Sequence, residues 1–273
     1  MQPYRTTAYR YPNEGWLLTL SFILVFGVII ITSTATLCLS SIFIIGMVVM
    51  AYLSNQSHHA QLMRQAKRVT TQSAPQLTAL VRQSFSRVQP GPVELFVVPA
   101  QVMNAYTFGL SNPKVVVLFS EVLNVMDEDE IRFVVGHELG HVALGHTWLN
   151  TLLGGMAGIP APFGAAILLT AGFLWWNRAC EYSADRAGML ACGKPAKAIS
   201  ALVKLAAGPG QHNSAELARV YQMVDDEDEN LLSLLGETFS SHPMIIKRIN
   251  QIKTYAASAG YQQLQTRLNQ NGG

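Results

Sequence analysis

From Trp16 to Leu53 the chain contains no Asp, Glu, Lys or Arg, and most positions are apolar. That run is about twice what one membrane-spanning helix requires. It predicts a hairpin of two helices, roughly 16–31 and 36–53, turning at Thr32-Ser33-Thr34. A cleaved leader, with an apolar core of only about 7–15 residues, does not fit, and one long tilted helix is the alternative. His58 to Arg87 then reads as an amphipathic helix interrupted at Pro75, and Pro90-Gly91-Pro92 marks a boundary. Val93–Val98 and Lys114–Leu118 read as short strands. At Asp127 the helical pattern begins again: Asp127 serves as N-cap, Glu130 completes a capping box, and Ile131, Val134, Val135, Leu139, Val142 and Leu144 follow near helical spacing. A second apolar stretch, Trp148 to Trp176, is cut by Gly154-Gly155, Gly158 and Pro160-Ala161-Pro162. Each piece is shorter than a full span. The pattern predicts a helical hairpin touching or dipping into the bilayer, with Trp175 and Trp176 at the interface.

The chain divides accordingly into an N-terminal tail (1–15), a transmembrane hairpin (16–54), juxtamembrane helices (55–89), a main domain (90–258) containing the apolar hairpin 148–176, and a C-terminal tail (259–273). The expected fold is mainly α with a small β-sheet. Only 13% of residues are charged, against about 25% in ordinary soluble proteins, and the shortage is concentrated in the apolar run. Arg5 and Arg10 precede that run while Arg64, Lys67 and Arg68 follow it, so the positive-inside rule puts both ends in the cytoplasm. Cys38, Cys180 and Cys192 form no Cys-x-x-Cys pair and read as small buried hydrophobes. A net charge of +2, with no basic stripe interleaved with aromatics, gives no reason to expect a nucleic-acid partner. The acidic run Asp225–Glu229 and the stretch from Gly208-Pro209-Gly210 to Asn213 read as solvated loops.

Chemistry enters at His137-Glu138-Leu139-Gly140-His141, an H-E-x-x-H pattern in mid-helix. Residues four apart on a helix lie about 40° from each other, so His137 and His141 can aim at one metal ion. Glu138, about 100° round from His137, flanks the ion and can take a proton from water, as in zinc peptidases. A hydrogen-bonded buried His pair is the bland alternative, and a costly one without a metal. A third protein ligand is needed. The best candidate is Glu181, four residues before Asp185 on one helix face; one carboxylate of this pair can bind metal while the other holds a ligand histidine. His146 follows His141 by five residues, about 140° round the helix. It reads as a helix-end residue favourable to the dipole there.

These motifs, in this order, resemble the HtpX-like and CAAX-prenyl-protease-like membrane zinc metallopeptidases, a gluzincin family. Asn104-Ala105-Tyr106 is similar to its N-A-F/Y strand segment, Val115–Leu118 to the strand before its H-E-x-x-H helix, Glu181–Asp185 to its E-x-x-x-D element, and Ser241-His242-Pro243 with Arg248-Ile249 to its C-terminal motif. The resemblance covers about Val93 to Ile252. It implies an α+β zincin-like domain with one zinc ion per chain on His137, His141 and Glu181, and Glu138 as the catalytic base. Asp185 would steady a ligand, and Arg248 would pair with a nearby acidic residue. His242 would approach the oxyanion or stabilise the site, although His242-Pro243 is also a plain helix start. Asn104, Ala105 and Tyr106 would form an edge strand pairing with an extended substrate, Asn104 also being a common turn residue.

The function expected from the sequence is that of a membrane-anchored zinc endopeptidase in membrane protein quality control. Its substrates would be proteins or peptides, membrane-embedded or misfolded ones included, and its place a bacterial inner membrane with the catalytic domain in the cytoplasm. The alternatives are a catalytically silent or autoinhibited membrane scaffold retaining a zinc site, and a structural zinc site closed by His146 or His242 as a fourth ligand.

Overall fold

The computed structural model describes residues 8–153, 164–207 and 243–270. Two long apolar helices come first, α1 (Glu14–Ala35) and α2 (Leu39–Met63). Both are long and apolar enough to cross a membrane, and hardly any of their apolar windows is buried by the rest of the chain. They turn at 36–38, where Leu37 and Cys38 adopt the left-handed conformation. The second helix continues past the expected end near Leu53 as far as Met63, so Asn55, His58 and His59 lie on it. The amphipathic reading from His58, interrupted at Pro75, holds at its break, where helix α3 (Pro75–Val88) begins; between the two helices, however, Lys67–Arg68 form a strand, β1. Proline is well placed there because its missing N–H has no partner in a first helical turn.

The sheet adds β2 (Val93–Val98), β3 (Ala105–Phe108) and β4 (Lys114–Phe119), in the order β1-β2-β4-β3. The central pair β2 and β4 is parallel, while β1 and β3 pair antiparallel at the two edges. The run Val116-Val117-Leu118 in β4 is fully buried, as a strand covered on both faces should be. Val116 and Leu118 face the main core, whereas Val117 and Phe119 face a smaller cluster with Leu62, Met63 and Tyr106.

Helices α4 (Ser120–Val125), α5 (Glu128–Ala143), α6 (Thr147–Leu153), α7 (Gly164–Cys192), α8 (Pro195–Ala207), α9 (Pro243–Ala256) and α10 (Ala259–Gln270) follow. Both halves of the capping box at Asp127 and Glu130 are formed, so α5 starts where its sequence requires. Its core against α7 is a seam of small residues. A Cβ on Gly136 would lie 2.3 Å from the Ala191 Cβ, one on Gly140 2.6 Å from the Ala187 Cβ, and one on Gly188 2.8 Å from Phe133. The two backbones therefore approach closely only because these positions lack side chains.

The later half of the stretch 148–176 is continuous with the helix bearing Glu181, both belonging to α7. Its expected Gly/Pro break falls in 154–163, outside the described residues. Trp175 is 58% exposed but Trp176 only 3%, so the two do not share an interface. Trp176 packs with Leu149, Phe173 and Cys180 beneath Leu17, Leu18 and Phe22 of α1. The segment before α1 is likewise docked: Tyr9 is fully buried and its hydroxyl donates to the Val88 carbonyl at 3.0 Å.

Candidate metal centre

The glycine seam brings Glu181 of α7 to the two histidines of α5. His137 Nε2 and His141 Nε2 are 3.2 Å apart. The Glu181 carboxylate oxygens lie 3.5 Å from the first and 3.4 Å from the second. Donors about 2.0–2.1 Å from a tetrahedral ion are about 3.4 Å from each other, and the two imidazole nitrogens and the Glu181 carboxylate, which turns Oε2 to His137 and Oε1 to His141, have about that spacing. All three residues form one group able to hold a metal ion. The donor set, two imidazoles and a carboxylate, is also that of an open zinc site, with a fourth position left for water.

Neighbouring groups orient these side chains. Asp185 Oδ1 lies 3.0 Å from His137 Nδ1, so that nitrogen donates and Nε2 presents its lone pair to the centre. Arg248 of α9 donates from Nε to Asp185 Oδ2 at 2.8 Å and from Nη2 to Oδ1 at 2.6 Å. Its Nη1 is 3.0 Å from Glu181 Oε2. Burial would raise the pKa of both carboxyls, but the Arg248 charge, with hydrogen bonds from the histidines, lowers them. Glu181 is held well below the usual carboxylate range. Burial works against the Arg248 cation too, yet Asp185 and then Glu181 hold its pKa above the ordinary arginine value.

Glu138 is buried beside these residues, and its Oε2 accepts a hydrogen bond from the Thr107 hydroxyl at 2.6 Å. That contact ties the carboxylate to β3, the edge strand following Asn104. Nothing in the local sequence singles out Thr107, a β-branched residue of the sort any strand contains; strand alternation places it on the face opposite Tyr106. Ala105 and Tyr106 pair with Leu118 and Val117 of β4. The Tyr106 ring turns away from the centre to stack with His59 and Phe108. A cavity of about 660 Å³ opens over the centre, bounded by His137, Glu138, His141 and Glu181, by the Asn104–Phe108 strand, and by Asn55, His58 and His59 of α2.

His146 is not at the fourth corner. It lies behind His141, with Nδ1 to Nδ1 at 3.0 Å, and is nearly fully buried. Burial depresses its pKa to about 4 against the pull of the neighbouring Glu14. His146 does sit just past the end of α5, its N–H donating to the His141 carbonyl at 2.9 Å, but its side chain turns inward to His141 and Glu14. Cys180 and Cys192 are buried thiols, while Cys38 caps α2 in an exposed turn. His242 lies outside the described residues.

The family model for peptidase family M48 matches residues 71–256. Plastoglobule-localized metallopeptidase 48 of Arabidopsis thaliana chloroplasts is 30% identical over 191 residues, covering 64% of this chain and 55% of its own. A protease HtpX homolog of Desulforapulum autotrophicum is 27% identical over 231 residues, 70% of this chain and 72% of its own. Another, from Desulfatibacillum aliphaticivorans, is 26% identical over 272 residues, 85% and 84% of the two chains. The chain thus spans about half the length of the plastid relative and most of the length of the HtpX homologs. No solved structure matches.

Proposed function

The chain belongs to peptidase family M48, HtpX-like in kind, and we propose that it is a membrane-anchored zinc endopeptidase. The observation carrying this reading is the triangle of His137, His141 and Glu181 donors, with Glu138 beside it and a cavity above. A zinc ion held there would acidify a water molecule and polarise a peptide carbonyl. Glu138 takes the proton of the attacking water and returns it to the leaving amine. Thr107 fixes that carboxylate, Asp185 fixes His137, and Arg248 holds Asp185 and Glu181 in place.

Substrate enters extended along β3, whose outer edge pairs with no strand among the described residues. Backbone pairing at Asn104, Ala105 and Tyr106 suits unfolded chains of many sequences. Asn55, His58 and His59 bring the cytoplasmic end of α2 to the rim of the cavity, which favours proteins emerging from or lying on the membrane, as in quality control. Arg64, Lys67 and Arg68 beyond α2 keep that side in the cytoplasm; a bacterial inner membrane is the setting this orientation suits.

Cleavage of casein by the detergent-purified full chain tests the reading, with wild type, Glu138→Gln and a chelated sample run together and zinc content measured in each. Chelator-sensitive cleavage, lost in Glu138→Gln while its zinc is retained, is expected. A zinc-loaded wild type without activity would point instead to a silent or autoinhibited scaffold.

A further inference from the structure

The two histidine ligands are supported in different ways. His137 meets a carboxylate directly, through Asp185. His141 meets a third imidazole: its Nδ1 is 3.0 Å from His146 Nδ1. Two neutral ring nitrogens at that distance share a single proton, because two lone pairs repel and two N–H groups collide. His141 must leave Nε2 bare toward the centre, so its proton is on Nδ1 and His146 Nδ1 accepts it. The His146 proton then sits on Nε2, which lies 3.2 Å from Glu14 Oε1.

Glu14 is the first residue of α1, yet only 2% exposed. Its carboxylate also receives Arg10 on Oε1 and the Ser183 hydroxyl on Oε2. Tyr11 N donates to Ser183 Oγ at 2.8 Å, and Arg10 reaches the Leu144 carbonyl at 3.3 Å. Trp176 stands edge-on against the His146 ring. An acidic side chain at the mouth of an apolar helix usually faces water; this one is turned inward and fully engaged.

We propose that Glu14 and His146 form a hydrogen-bonded relay that fixes the tautomer and orientation of His141, so that the first turn of the membrane helix completes the metal centre. Both are positioning residues, acting through His141. The inference rests on His141 being a metal ligand. Glu14, His146 and Cys180 also lie close enough to suggest a second metal site, but the relay argues against it: one His146 nitrogen is occupied by His141 and the other bears a proton. The consequence is a link between anchor and catalysis. If α1 is pulled from its seat on α7, His141 loses the chain of acceptors that orients it.

The test uses the full chain in detergent, with zinc affinity measured by chelator competition and folding monitored by melting of the metal-free protein. Glu14→Ala and His146→Ala should each weaken zinc about 10–100-fold. Glu14→Gln, which keeps a carbonyl acceptor for His146, should recover most of that loss. The double Glu14→Ala/His146→Ala variant should be no weaker than His146→Ala alone, since the two act in series. Unchanged affinity in a folded Glu14→Ala protein, or fully additive losses, would overturn the relay. A second readout needs no variant: ¹⁵N spectra of histidine-labelled, zinc-loaded wild type should show His146 protonated on Nε2, and a proton on Nδ1 would refute it. Wild type that takes up no zinc, or His141→Ala that takes up as much, would instead sink the metal reading itself.

Discussion

Arg248 and Asp185 are 63 residues apart in sequence but meet through two parallel hydrogen bonds, at 2.8 and 2.6 Å, behind the His137 ring. The pair joins α9 to α7, with Asp185 buried and Arg248 partly so. A two-pronged guanidinium–carboxylate contact fixes direction as well as charge, so the Asp185 oxygen facing His137 cannot swing away.

Asp185→Ala should therefore lower zinc affinity by about 10–100-fold, the usual effect of removing the carboxylate behind a ligand histidine. Arg248→Lys, which keeps the charge but loses the fork, should fall between wild type and Asp185→Ala. Chelator competition measures both, and equal affinity in all three proteins would contradict the assigned order.

Thr107→Val removes the hydroxyl that holds Glu138 while keeping a β-branched side chain in the strand. A hydrogen bond to a charged group is worth about 1.5–3 kcal/mol, so turnover should drop by roughly tenfold or more. Zinc content should stay at the wild-type level, because the Thr107 hydroxyl bonds to Glu138 and not to His137, His141 or Glu181. Loss of zinc along with activity would mean that the strand supports the ligands themselves.

Gly136→Ala should destabilise the protein by about 1–3 kcal/mol, the cost of overpacking a close seam. The added methyl would meet the Ala191 Cβ at 2.3 Å and the Gly188 backbone at 3.0 Å. Adding Ala191→Gly should restore part of the lost melting temperature, since it clears the first contact and not the second. No rescue would place the strain elsewhere.

Glu130 tests a different part of the fold. Besides closing the capping box, its buried carboxylate accepts from Ser200 Oγ and Lys204 Nζ, each at 2.6 Å. Lys204→Met should cost about 3–5 kcal/mol by stranding that charge. The double Lys204→Met/Glu130→Gln variant should lose less, as neither charge is then left alone. Denaturant unfolding of the metal-free protein gives both values.

Some of this molecule was legible in one dimension. The 3.6-residue period that places His137 and His141 on one face also places Glu181 and Asp185 on one face, and each is a property of a single helix. The apolar run from Trp16 and the capping box at Asp127 are equally local, and the structure contains both apolar helices and the box. Boundaries were less legible. The end of α2 and the strand at Lys67–Arg68 depend on neighbours elsewhere in the chain, Phe96 and Val97 among them.

Which distant groups meet depends on how the helices and the sheet pack. Glu14 reads as an ordinary acidic residue before an apolar helix, Thr107 as an ordinary strand residue, and His146 as a helix-end histidine. What makes each consequential is the close approach of α5 to α7 across the glycines, which sets Glu181 against the histidines, together with the seating of α1 on α7, which buries Glu14. The helices, and the metal-binding residue types they carry, follow from the local order of residues, because hydrogen bonding and side-chain periodicity act over a few residues. The pairing of Arg248 with Asp185, of Thr107 with Glu138 and of Glu14 with His146 arose only in three dimensions, since buried polar groups must find partners wherever the packing of the helices and the sheet brings them.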